Sequence, residues 1–166
     1  MIFYPLSIQT TDGEGNMTSE LYKKILIATD GSEKNRKAIS YGIEFAKLSG
    51  AELYVVYVVD TAAFASIPMD AGWEMMYELL ETEGKDSLKK VEELASDSGL
   101  KFESAVLEGH PSHEILGYAN DNDIDLIVVG TLGKGGIDRF LLGSVAEKVT
   151  RNSEVPVLVV RSEKDE

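Results

Sequence analysis

Leu53-Tyr54-Val55-Val56-Tyr57-Val58-Val59-Asp60 is the stretch that decides the fold. Its β-branched and aromatic residues run without polar alternation and stop at an acid. A strand with one wet face alternates apolar and polar side chains. An unbroken run suits a strand covered on both faces, as in a parallel sheet. The same texture recurs upstream at Ile25–Ala28, bounded by Asp30-Gly31-Ser32. Downstream it returns weakly at Phe102–Leu107, then at Leu126–Val129, ended by Gly130, and at Val157–Val160. Helical spacing fills the gaps. Ala38, Gly42, Phe45 and Ala46 share one face of 33–48, with Ser32 as N-cap. Met76, Leu79, Leu80, Leu88, Val91, Leu94 and Ala95 mark a long second helix, expected to break near Gly84. Ile115, Leu116 and Ala119 mark a third, and Val145 with Val149 a fourth. Five strands alternating with four helices predict right-handed βαβ crossovers and an α/β fold with an open, doubly wound, five-stranded parallel sheet. Ligands in such sheets sit beyond the carboxyl ends of the strands, where strand order reverses. The residues to examine are therefore Thr29–Ser32, Asp60, Glu108–His110 and Gly130 onward.

The chain's 166 residues correspond to one domain at roughly 150 residues per domain. The absence of cysteine excludes disulfide scaffolds, thiolate metal sites and thiol nucleophiles. Twenty-nine acids against sixteen bases give a net charge of −13. Such a surface repels phosphate backbones, so nucleic acid is not an expected partner. The same repulsion acts on a free nucleotide, so any phosphate site must rest on local dipoles, a basic side chain or a metal ion. No apolar run reaches the roughly 18 residues of a membrane span. Met1–Ile8 lacks the basic flank and length of a secretory signal, and residues 9–16 are polar and aperiodic. Residues 1–20 therefore read as a flexible N-terminal extension, Met17 offers an alternative start, and the expected location is cytoplasmic.

Gly130-Thr131-Leu132-Gly133-Lys134-Gly135-Gly136 places four glycines in seven residues, letting backbone turn tightly and approach a ligand with bare N–H groups. Gly143-Ser144 then opens a helix, and Ser144-x-x-Glu147 matches a capping box. A helix start offers free N–H groups and partial positive charge, which attract anions. A P-loop fails here because Gly135 follows Lys134, and a dinucleotide fingerprint fails because the stretch follows the fourth strand and has Asp138 where its third glycine belongs.

The spacing Gly130-x₂-Gly133-x₉-Gly143-Ser144 resembles the nucleotide-binding signature of the ATP-binding branch of the universal stress protein family. The likeness extends to Lys24–Ser32, Val58-Val59-Asp60, Gly109-x-Pro111 and Pro156–Val160, covering residues 22 to 161. The resemblance implies a Rossmann-like, adenine nucleotide alpha hydrolase-like fold. Its domain would be residues 21–162, with a polar tail at 163–166. It implies that Asp30, with Ala28 and Thr29, lines the adenosine end and that Val58 presents backbone to the adenine edge. Val129, Gly130 and Thr131 would border the ribose and α-phosphate. Gly133, Gly143, Ser144 and Val145 would hold the outer phosphates. The implied cofactor is ATP, ADP or AMP, with Mg²⁺ or Mn²⁺ carried by the phosphates rather than by protein ligands. The implied partner is a second copy of the chain, joined through strand Val157–Val160. Leu132 stands where members commonly carry His or Arg, and Tyr57 replaces a frequent His.

No catalytic residue is identified. Lys134 is a solvated loop lysine or a phosphate contact. His110 and His113 flank Pro111 at a helix start without a third metal ligand. Asp121-x-Asp123-x-Asp125 mimics half a calcium loop but has Leu126 and Leu132 where Gly and Glu are required. Apolar residues in 64–80, including Phe64, Ile67, Pro68, Met69 and Trp73, are expected to cover the pocket or a partner, and Met75-Met76 to join the core. The leading reading is a nucleotide-binding regulatory protein with slow or no hydrolysis. An ATPase or phosphotransferase using Asp138, His110 or Glu108 as base is the alternative. An interaction domain with a vestigial site remains the third.

Overall fold

The computed structural model describes residues 10–11, 17–18, 22–64, 71–132 and 142–162. Five strands form one parallel sheet: β1 (Lys24–Thr29), β2 (Glu52–Val59), β3 (Phe102–Glu108), β4 (Leu126–Gly130) and β5 (Val157–Val160), in the order β3-β2-β1-β4-β5. Ile25 pairs with Leu53 on one side and Leu126 on the other, so the central strand is bonded along both edges. Helices α1 (Arg36–Ser49), α2 (Ala71–Ser96), α3 (Pro111–Asp121) and α4 (Ser144–Asn152) cover both faces.

Two apolar layers explain why the runs do not alternate. Ile25, Ile27, Leu53, Val55 and Val128 face α1 and α2, meeting Ala38, Ile43, Ala46, Leu88 and Val91. Leu26, Val56, Ile127 and Val129 face α3 and α4, meeting Ile115, Ala119, Ala146 and Val149. Both side-chain sets of the central strands leave water, each large residue contributing roughly 1.5–3 kcal/mol. The weak third run is the edge strand β3, where Glu103 and Ser104 stay exposed.

Helix α2 departs from the sequence reading. It runs unbroken for 26 residues through Gly84. A Cβ there would lie 2.7 Å from Tyr57 Cδ1, so the glycine admits the helix onto the buried ring rather than weakening it. The core face of α2 is Leu88, Val91 and Ala95 with Leu80 packed beside it. Leu79, Leu94 and Met75 are exposed instead of buried, because they lie off that stripe.

Asp125 pins the start of β1. One carboxylate oxygen accepts the N–H groups of Lys23 at 2.8 Å and Lys24 at 2.9 Å. Within the stretch read as a loose extension, Thr10–Thr11 and Met17–Thr18 pair antiparallel, and the second segment contacts α1. The rest of residues 1–20, and the tail 163–166, lie outside the described residues. No helix among the described residues is long and apolar enough to cross a membrane.

Candidate functional site

Strand order reverses between β1 and β4, and the chain leaves the carboxyl ends of these two strands in tight turns. After β1, Thr29 Oγ1 accepts the N–H of Gly31 at 3.1 Å. Asp30 Oδ1 accepts both the N–H of Ser32 at 3.0 Å and its hydroxyl at 2.7 Å. Ser32 is the N-cap of a 3₁₀ turn over Glu33–Asn35 rather than of α1, which begins at Arg36, and it makes no side-chain cap bond. Its hydroxyl donates to Asp30 instead. The second carboxylate oxygen, Asp30 Oδ2, is buried and has no hydrogen-bond partner among the described residues. Leaving such an atom unpaired costs about 1–3 kcal/mol or more, so it fits a ligand that brings a donor.

Asn35 adds a second group of this kind. It is 5% exposed, its Nδ2 donates a long 3.5 Å bond to the carbonyl of Ala28, and its Oδ1 lacks a partner among the described residues. A Cβ on Gly130 would sit 3.0 Å from that Nδ2, so glycine at the end of β4 leaves room for the amide. The sequence reading missed Asn35. An amide three residues after a turn serine was its sole signal, because burial there depends on the crossing of β1 and β4.

The β4 side ends in a helix tip. Thr131 is the brace that sets it. Its N–H donates to Val160 O at 2.9 Å, its carbonyl accepts from Gly143 N at 2.7 Å, and its Oγ1 accepts from Ser162 N at 3.3 Å. Gly143, not Ser144, is the N-cap of α4, and no side-chain cap bond forms. The expected capping box is thus absent: Ser144 is already helical, and Glu147 pairs with Arg151. An uncapped first turn leaves backbone N–H groups and the helix dipole for an anion.

These turns enclose a cleft of about 610 Å³, within the roughly 300–1,000 Å³ of small-molecule sites. Ten of the eleven residues picked from sequence line it: Ala28, Thr29, Asp30, Val58, Val129, Gly130, Thr131, Gly143, Ser144 and Val145. The eleventh, Gly133, lies outside the described residues, as do Lys134 and Asp138. The walls are mainly apolar and include Tyr57, Phe64, Leu80, Ile115 and Leu132, so two apolar residues of the 64–80 stretch, Phe64 and Leu80, line it. The charged side chains among the described lining residues are Asp30 and Asp60. Ile67, Pro68 and Met69 lie outside the described residues, whereas Trp73 stacks on Tyr77 at 5.4 Å.

The remaining candidate groups have partners of their own. Glu108 accepts the hydroxyl of Tyr77, and that bond, with burial, pushes the phenol up to about 12. His110 precedes Pro111, the first residue of α3. Its Nδ1 lies 3.1 Å from Ser112 Oγ and its Nε2 lies 3.2 Å from Lys148 Nζ. His113 Nδ1 is 3.2 Å from Glu114. The described residues hold no cluster of three or more His, Asp or Glu arranged for a metal ion.

Residues 21–161 match the universal stress protein family. The chain belongs to that family. Among the relatives of this universal stress protein, MJ0531 of Methanocaldococcus jannaschii is 45% identical over 164 residues, covering 99% of this chain and 94% of its own. The solved structure of MJ0577 from the same organism is 32% identical and superposes with a TM-score of 0.77, covering 87% of this chain and 99% of that one. A universal stress protein solved in complex with cAMP is 25% identical, with a TM-score of 0.63 over 86% of this chain and 98% of its own. These likenesses agree with the five-stranded Rossmann-like architecture found here.

Proposed function

We propose that the cleft at the carboxyl ends of β1 and β4 binds an adenine nucleotide, ATP foremost with ADP or AMP as alternatives, and that the protein is a regulatory binding protein with slow or no hydrolysis. The observation that carries this reading is the meeting of the unpaired carboxylate oxygen of Asp30 and the uncapped first turn of α4 on one largely apolar cleft. A nucleoside phosphate offers what each part lacks. Its ribose or base donates to Asp30, its flat base suits the apolar wall at Val58, and its phosphates accept from the N–H groups of Ser144 and Val145, with Gly143 leaving room for their approach. Ala28, Thr29, Val129 and Gly130 complete the floor, while Thr131 holds the helix tip in place. The family relative solved with cAMP supports the ligand class.

A divalent ion, Mg²⁺ or Mn²⁺, would ride on the phosphates and neutralise part of their charge against Asp30 and Asp60. Slow turnover is part of the reading because Glu108 accepts from Tyr77 and both ring nitrogens of His110 have partners, in Ser112 and Lys148. The protein would act as a homodimer through β5. Ile127 N and Thr131 N donate to the carbonyls of Pro156 and Val160. By alternation, Val157 and Val159 turn their backbone groups away from β4, free to bond a second copy.

The test is acid extraction of freshly purified protein followed by chromatography of the released small molecules. A near-stoichiometric adenine nucleotide, diminished in Asp30→Ala and Gly143→Val variants, is the expected result. No heat on titration with Mg·ATP at millimolar concentration would refute the reading.

A further inference from the structure

From the neighbourhood of His110 we infer that Lys148, positioned by His110, is a cationic clamp at the rim of the cleft that receives the terminal phosphates, so that the site discriminates ATP from AMP. The inference rests on the adenine-nucleotide reading above and adds the residues that sense phosphate number.

Lys148 lies four residues after Ser144 on α4, on the same helical face. Long helical side chains run back toward the N-terminus, and its ammonium is carried to within 3.2 Å of His110 Nε2. His110 is joined to Pro111, which lines the cleft, as does Ser144. Neither side chain lines the cleft itself, but one is joined to Pro111 and the other lies one helical turn from Ser144, which puts the pair at its rim on the α4 side. A lysine ammonium only donates, so Nε2 accepts from it. The ring hydrogen is then on Nδ1, donating to Ser112 Oγ, whose residue is buried. That bond fixes the ring, and the ring fixes the ammonium.

The cations of this chain meet partners of several kinds, and Lys24 Nζ donates to the carbonyl of Asn122 at 2.8 Å. Arg36, Lys47, Lys85, Lys101 and Arg151 each pair with a carboxylate. Lys148 meets a ring nitrogen instead and has no carboxylate partner among the described residues. Two of its three donors are therefore left for an anion. The need is local as well: the described charged residues lining the cleft are both acids, and Leu132 offers no donor. An added phosphate deepens that electrostatic conflict unless a cation stands where the chain of phosphates leaves the helix tip.

The experiment is calorimetric titration of the full chain with Mg·ATP, Mg·ADP, AMP and adenosine, in wild type and in Lys148→Gln, Lys148→Glu, His110→Gln and Asp30→Ala variants. Thermal melts check folding first, and the exposed positions 148 and 110 tolerate these changes. Lys148→Gln is expected to weaken ATP binding about tenfold while leaving AMP and adenosine within about twofold. Lys148→Glu should do more, and His110→Gln less. Equal loss of AMP and ATP affinity, or unchanged ATP affinity, in Lys148→Gln overturns the clamp. That outcome leaves the nucleotide reading intact, provided Asp30→Ala weakens all four ligands. Failure of wild type to bind any of the four overturns both.

Discussion

Replacing Gly84 by alanine sets two known effects against each other, and the geometry decides which wins. On helix propensity alone, alanine in the middle of α2 should stabilise by about 1 kcal/mol. The new methyl, however, would lie 2.7 Å from Tyr57 Cδ1 and 3.1 Å from Cε1. Carbon atoms rest at about 3.5–4.0 Å, so the overlap approaches an ångström. Tyr57 is 4% exposed and sits on a fully paired strand, so ring or helix must move. Overpacking of this kind costs typically 1–3 kcal/mol. The balance is a destabilisation of about 1 kcal/mol, or roughly 2–4 °C in melting temperature for a chain of this size. Urea and thermal unfolding followed by circular dichroism measure it. In a Tyr57→Leu background the ring is gone and the same alanine should become neutral or stabilising, a coupling of about 1 kcal/mol or more. A stability gain from Gly84→Ala in the wild-type background would refute the packing of α2 on β2. Because Tyr57 also lines the cleft, nucleotide affinity should fall in parallel.

Asp30→Asn keeps the size of the side chain but removes its charge and one acceptor. Its affinity for adenosine should drop about tenfold or more by calorimetry, and an unchanged value would place the ligand elsewhere. Tyr77 is held above the ordinary phenol value of 10.0 and pushed up to about 12 by Glu108. Its contact therefore contributes fully below about pH 10 and is lost as pH rises through about 12. Tyrosinate absorbance should show a late step that is missing in Tyr77→Phe. Val159→Pro removes an N–H that points away from β4 and so spares the sheet. Light scattering should report a folded monomer in place of the proposed wild-type dimer, and an unaltered mass would refute an interface through β5.

The strands were legible because burial on both faces writes itself into the sequence as unbroken apolar runs, and β3 was faint because an edge strand keeps Glu103 and Ser104 in water. The cleft was legible as spacing, since glycine and aspartate after β1 and β4 can only serve a tight turn or a close approach. The caps were harder to read, because a serine near a helix start can bond elsewhere or already belong to the first turn. The Ser32 hydroxyl donates to Asp30, and the N-cap of α4 is Gly143, one residue before the expected Ser144. Leu79 and Met75 misled because apolar residues on a long helix can lie just outside the stripe that meets the sheet. Asn35 stayed hidden because its burial depends on a strand almost a hundred residues further along the chain.

That last separation has a consequence for the nascent polypeptide. Ala28–Asp30 leaves the ribosome early, yet Val129–Thr131 comes a hundred residues later, and Thr131 is anchored only when Val160 arrives. No partly synthesised chain can contain the crevice, so any nucleotide it captures reports completion of the whole sheet and resists global rather than local opening.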